Sequence, residues 1–143
     1  LGINGRLDTL QAAILIEKLK IFQDEIEARN KVASRYFDAL HNIVIAPRVA
    51  DGNVSTWAQY TIRLPNGVRE AFADALKAQG IPTAIYYPKS MHQQTAYKHY
   101  PSAEGGLPVS EKLSTDVISL PMHAYLEPAA QDRVIKAVRD ALS

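Results

Sequence analysis

The chain has 143 residues, 47% of them hydrophobic and 22% charged, with a net charge of +1, the length and balance of one soluble globular domain able to bury a core. That charge gives no electrostatic footprint for nucleic acid or an anionic membrane, and no apolar run approaches the roughly 20 residues that cross a bilayer. There is no cysteine, so disulfides and thiolate chemistry are excluded, which fits a cytoplasmic protein.

The amino-terminal stretch LGINGRLDTLQAA sets a polar, glycine-flanked turn against the start of a long helix. Gly2 and Gly5 free the backbone around Asn4 and Arg6 for conformations a β-carbon would forbid. Asp8 has the position of an N-cap, with Gln11 as its capping-box partner. Residues 7–46 contain neither glycine nor proline, and Leu15, Leu19, Phe22, Ile26, Ala33, Phe37 and Leu40 form an amphipathic stripe. The pattern predicts a helix over 7–42, about 50 Å long, of the kind that bridges domains or subunits. Two shorter helices with a bend near Asp24 are the alternative.

Residues 43–45 are expected as a short strand and 47–53 as a surface loop. Residues 57–64 alternate, with Ala58, Tyr60, Ile62 and Leu64 on one face and Trp57, Gln59, Thr61 and Arg63 on the other. Pro65-Asn66-Gly67 turns the chain into a helix carrying Val68, Phe72, Ala75 and Leu76 that ends at Gly80. Residues 82–87 read as another strand, residues 88–107 as a long irregular stretch, 109–116 as a short helix and 117–120 as a strand. Pro128 opens the last helix, whose buried side carries Val134, Ile135, Val138 and Leu142. The sum is an α+β layer, with a mostly antiparallel sheet of three or four strands covered by helices.

Five segments in this order carry a resemblance. They are Gly2-x-Asn4-x-Arg6-Leu7-Asp8-x-x-Gln11-Ala12-Ala13, Trp57-Ala58-Gln59-Tyr60-Thr61-Ile62, Gly80-Ile81-Pro82-Thr83, Tyr87-Pro88 followed by His92-Gln93-Gln94, and Ser119-Leu120-Pro121-Met122-His123. Together the chain resembles the DegT-type (DegT/DnrJ/StrS) nucleotide-sugar aminotransferases, and within them the members acting on UDP-linked 3-keto uronic-acid sugars. The resemblance implies the small carboxy-terminal domain of the aspartate-aminotransferase fold (fold type I), pyridoxal 5'-phosphate as cofactor, and a cytoplasmic homodimer. It implies a nucleotide-linked keto-sugar and an amino-acid donor, usually glutamate, as substrates, in polysaccharide biosynthesis such as that of lipopolysaccharide O-antigen. It also implies that the Schiff-base lysine lies upstream of the Asn4 motif. The eight lysines here all follow that motif, so residues 1–143 are expected to be the carboxy-terminal part of such an enzyme, inactive alone, with no catalytic residue of its own.

The resemblance assigns Asn4 to the cofactor phosphate of the neighbouring subunit, a role an uncharged amide donor suits; its other role is to form the turn before Asp8. Arg6 is assigned to a sugar carboxylate, which its guanidinium can grip at two points; alternatively it pairs with Asp8. Tyr86, Tyr87 and His92 are assigned to substrate. Many relatives have His-Tyr-Pro where this chain has Tyr86-Tyr87-Pro88, and a phenol cannot carry the charge of a protonated histidine. Tyrosines ending a strand also pack with only their hydroxyls wet. His41, His92, His99 and His123 lack metal-ligand spacing, so no metal site is expected. Gly105-Gly106 is a flexible loop, and Trp57 lies opposite the core face. Two other functions remain open from the residues: a non-catalytic, small-molecule-binding or regulatory module, and a dimerisation unit built on the long helix.

Overall fold

The computed structural model describes residues 2–64 and 67–143, so Pro65 and Asn66 of the expected turn lie outside the described residues. Asp8 starts α1 (Thr9–Leu19), its carboxylate Oδ1 accepting from the Gln11 backbone N–H at 2.8 Å. Gly5 does not take a left-handed conformation, contrary to the sequence expectation, and a β-carbon would meet nothing closer than 4.0 Å at Gly2 or Gly5.

The helix expected over 7–42 is two helices, α1 and α2 (Phe22–Leu40). The Lys20 and Ile21 N–H groups bond to carbonyls three residues back, Glu17 and Lys18, and Ile21 takes φ −106° and ψ 1°, outside helical geometry. This tightened turn breaks the helix slightly before Asp24. Apolar spacing runs unbroken across it, which is why the stripe looked continuous. After the break α2 buries Val32, Ala33, Tyr36 and Leu40, while α1 buries nothing, and Leu10, Ile14, Leu15, Ile16 and Leu19 all stay exposed.

The sheet has two regular strands among the described residues, β1 (Tyr60–Arg63) and β2 (Val117–Leu120), paired antiparallel from Tyr60–Leu120 to Arg63–Val117. Single antiparallel bridges flank them, Ile45 on Arg63 and Ala84 on Ser119. The order is therefore Ile45, β1, β2, Ala84: four antiparallel segments, as expected, with the outer two reduced to one contact each. Residues 82–87 fail as a strand because Pro82 has no N–H to donate and the chain leaves the sheet after Ala84. Residues 57–64 lose their first part because Trp57 turns the chain at φ +46°. Its indole donates to Asn30 Oδ1 at 2.8 Å and packs against the Tyr60 ring at 5.6 Å. Trp57 is thus a packing residue at the core edge, not a residue facing away from it. From Tyr60 on the alternation holds, with Tyr60, Ile62 and Leu64 buried.

Helix α3 (Arg69–Ala78) buries Phe72 and Leu76 and stops at Gly80, whose φ of +71° suits a residue without a β-carbon. Helix α4 (Pro108–Asp116) leads directly into β2, and α5 (Pro128–Ala141) has proline in its first turn. Helix α5 packs against both α2 and α3, and its Val134, Ile135, Ala137 and Val138 are buried, each large one contributing about 1.5–3 kcal/mol of burial. The carboxy-terminal quarter also fastens α2 by hydrogen bonds. Tyr36 donates to the Pro121 carbonyl at 3.0 Å, Gln131 to the Val32 carbonyl at 2.8 Å, and Arg139 to the Ala39 carbonyl at 3.0 Å. Arg35 bonds the Pro128 carbonyl at 2.9 Å and Asp132 at 2.6 Å.

Candidate functional site

Beyond Ala84 the chain runs outward through Tyr86 and Tyr87 into a single 3-10 turn, Met91–Gln93, and returns through a loop to α4. Gly105 and Gly106, at φ +84° and +77°, make the last bend of that return. Between the outgoing segment and α4 lies a cavity of about 370 Å³. Tyr86, Tyr87 and His92 all line it, with Lys89 and Ser90 from the same segment and Leu113 and Val117 forming the apolar floor. Tyr86 also lines a second depression of about 240 Å³, where Gln59, Thr83 and Ser119 surround the edge of the sheet.

His92 is the most fixed polar group here. Its Nε2 lies 2.7 Å from Glu111 Oε1 in the first turn of α4, and its side chain is only 19% exposed. Ser90 Oγ is buried without a hydrogen-bond partner. The tyrosines are open by contrast: Tyr86 is 46% and Tyr87 70% exposed, with their rings edge to face at 5.9 Å. They are not strand-end side chains packed with only a wet hydroxyl, and both phenols can reach a ligand.

Asn4 and Arg6 are placed elsewhere. Both are exposed in the turn before α1, neither lines the cavity, and among the described residues neither forms a hydrogen bond or an ion pair. Arg6 does not pair with Asp8, whose carboxylate is committed to capping α1. The structure thus gathers three of the five sequence-assigned residues, and leaves the other two facing outward with their donors unused.

The residues missed by sequence reasoning are Lys89, Ser90 and Glu111. The first two flank His92 in sequence and could have been found by asking what else that loop carries. Glu111 is separated from His92 by 19 residues, and no spacing rule links them. The buried ionisable groups Tyr36, Tyr60 and Asp116 do not line the cavity. Burial pushes the Tyr60 phenol up to about 12, with the Asp38 charge adding to it, and burial also raises Tyr36. A hydrogen bond from Lys112 holds the Asp116 carboxyl below the usual carboxylate range. Among the described residues no group of three or more His, Asp or Glu could hold a metal ion, and no helix is long and apolar enough to cross a membrane.

Comparison with known proteins adds to this geometry. The model of the DegT/DnrJ/EryC1/StrS aminotransferase family matches residues 1–139. The UDP-2-acetamido-2-deoxy-3-oxo-D-glucuronate aminotransferase of Pseudomonas aeruginosa is 47% identical over 130 residues, covering 90% of this chain and 35% of that protein. A crystal structure of a DegT DnrJ EryC1 StrS aminotransferase from Brucella abortus superposes with a TM-score of 0.92 at 52% identity, covering 100% of this chain and 38% of its own. Streptomyces venezuelae DesV, solved in complex with a ketimine intermediate, gives a TM-score of 0.88 at 33% identity, over 97% of this chain and 38% of its own. The chain spans little more than a third of the length of the relatives it matches.

Proposed function

Because this chain belongs to the DegT/DnrJ/EryC1/StrS aminotransferase family, we propose that it forms the carboxy-terminal third of a pyridoxal-phosphate-dependent nucleotide-sugar aminotransferase. The observation that carries this reading is the match over residues 1–139 together with the cavity that gathers Tyr86, Tyr87 and His92. The substrate is a nucleotide-linked keto-sugar, of the uronate type by analogy with the Pseudomonas aeruginosa relative, and the donor is an amino acid such as glutamate. The product serves cell-surface polysaccharide synthesis in the cytoplasm.

The residues present fit only part of the cofactor's needs. All eight lysines follow the Asn4 motif, whereas the family resemblance puts the cofactor-bearing lysine ahead of it. The covalent link is therefore assigned to a part of the protein outside this chain. Asn4 fits the cofactor's phosphate, since its amide donates without adding charge. The cofactor, when bound, carries the amino group from donor to sugar. This chain's own residues position the sugar: Arg6 grips the uronate carboxylate, while the Tyr86 and Tyr87 hydroxyls and His92 bond sugar or nucleotide oxygens.

Asn4 and Arg6 act on the neighbouring subunit of a homodimer in this reading. Two features support it: their donors face outward unused, and the helix that follows them is exposed and apolar on every side, as helices buried all round are. The test is complementation in the full-length protein. A subunit carrying Asn4→Ala and Arg6→Ala is mixed with one whose cofactor lysine is replaced. Each crossed dimer then holds one site with both functions intact, so transaminase activity is expected to reappear. Mixed dimers that form without activity would sink the assignment in trans.

A further inference from the structure

We propose that Asn4-Gly5 is a modification site, where the asparagine loses its amide nitrogen and becomes aspartate or isoaspartate, and that bound cofactor suppresses the reaction. The site itself is independent of the functional reading above. The protection rests on that reading, in which Asn4 holds the cofactor's phosphate.

The reaction needs only the chain and water. The Gly5 backbone nitrogen attacks Asn4 Cγ and closes a five-membered imide. The Cγ–Nδ2 bond breaks, and the amide nitrogen leaves as ammonia with the proton from the Gly5 N–H. Water then opens the ring. Attack at Cγ gives aspartate, and attack at the backbone carbonyl gives isoaspartate, in which the main chain runs through the former side chain. Asparagine is a thermolabile residue, and a following glycine neither shields the attacking nitrogen nor bars the backbone from the ring geometry.

The structure sets Asn4 apart from the other described asparagines. Asn30 has its amide fixed at both ends: Nδ2 donates to the Ile26 carbonyl at 3.0 Å and Oδ1 accepts from the Trp57 indole at 2.8 Å. It also lies inside α2. Asn42 and Asn53 precede Ile43 and Val54, whose branched side chains crowd the nitrogen that would attack. Asn4 is exposed, outside any helix or strand, and its side chain makes no hydrogen bond among the described residues. The Gly5 N–H is held by one bond closed over a single residue, to the Ile3 carbonyl at 3.1 Å, a γ-type turn with no helical ladder to reinforce it.

The product opposes the role assigned to Asn4. An amide donates, whereas a carboxylate only accepts and is charged, so it repels a phosphate. Isoaspartate also lengthens the main chain by one carbon just before Arg6. An amide engaged with phosphate is held away from the Gly5 nitrogen. Loaded protein therefore keeps its asparagine, while protein left empty loses it and with it the ability to reload.

The test incubates the full-length protein in mildly alkaline buffer, with and without pyridoxal phosphate, and follows each asparagine by peptide mass and by chromatographic separation of isoaspartate. In empty wild type, Asn4 should convert ahead of Asn30, Asn42 and Asn53, and pyridoxal phosphate should slow it. Gly5→Ala, whose β-carbon meets only Ile3 Cγ1 at 4.0 Å, should slow conversion about tenfold. Asn4→Asp, the product itself, should bind pyridoxal phosphate about tenfold more weakly than Asn4→Ala. Conversion of Asn4 no faster than that of Asn30, or unaffected by Gly5→Ala, overturns the modification site. Equal conversion with and without pyridoxal phosphate overturns the protection and the assignment of Asn4 to the phosphate, while the site stands. Equal binding by Asn4→Asp and Asn4→Ala overturns the loss of reloading.

Discussion

Helix α1 gives the sharpest quantitative test of how this chain sits in its protein. Leu10 and Leu19 lie nine residues apart, two and a half helical turns, and so point to opposite faces. In the chain alone Leu10 is 73% and Leu19 66% exposed. Full burial of a leucine contributes about 2 kcal/mol, so the quarter to third now covered accounts for about 0.5–0.7 kcal/mol in each Leu→Ala substitution. The better helix propensity of alanine trims that slightly. If α1 is enclosed in the assembled protein, the same substitutions create buried cavities and should cost about 2–5 kcal/mol each. Leu40, fully buried already, is the control and should cost that much in both settings. Urea unfolding measures the 143-residue chain through its midpoint at constant slope, and dimer dissociation with thermal melts measures the full-length protein. A loss in the full-length protein at only one of the two leucines would mean that α1 is covered on one side. A loss at neither would leave α1 in solvent and remove the basis for placing Asn4 and Arg6 in a neighbouring subunit.

The two core tyrosines, with rings 5.0 Å apart, should respond oppositely to losing their hydroxyls. Tyr36→Phe breaks the 3.0 Å bond to the Pro121 carbonyl and should cost about 1 kcal/mol in urea titrations, whereas Tyr60→Phe removes a buried hydroxyl with no partner and should be neutral or stabilising. Equal losses would show that Tyr60 has a partner after all. Asp116 should make stability sensitive to acid: its folded pKa lies below its ordinary value, so its contribution is present above about pH 4, the unfolded value, and disappears as pH falls through the lower folded one. Unfolding midpoints measured from pH 6 downward should decline, and Asp116→Asn should flatten that decline. An unchanged slope in the variant would remove Asp116 as the cause.

Much of this was legible because local rules and tertiary packing agreed. Asp8 caps α1, Gly80 ends α3, Pro128 opens α5, and Tyr60, Ile62 and Leu64 turn inward as their alternation requires. The family resemblance, rather than residue type, singled out Tyr86, Tyr87 and His92, which line one cavity. The failures have physical causes. The break at Lys20–Ile21 leaves no composition signal, since no glycine or proline marks it and the apolar period continues through it. The outer strands shrink because a single bridge satisfies them, and β propensity cannot anticipate how far a neighbour extends. Glu111 was invisible because its role depends on where α4 returns after the loop, a matter of tertiary geometry alone.

The bonds that seat α2 carry a consequence for biosynthesis. Tyr36, Arg35, Val32 and Ala39 are held by Pro121, Pro128, Asp132, Gln131 and Arg139, partners 85 to 100 residues further along the chain. A ribosome adding about 5–20 residues per second needs roughly 5–20 s after finishing α2 to supply them, and the last must also clear the exit tunnel. Throughout that interval Val32, Tyr36 and Leu40 have no α5 to close over them, and the exposed leucines of α1 lie beside them. The nascent chain is thus most prone to aggregate before its final helix emerges, and a stop codon ahead of Pro128 should send it to chaperones or proteases, even with every residue of the candidate cavity already made.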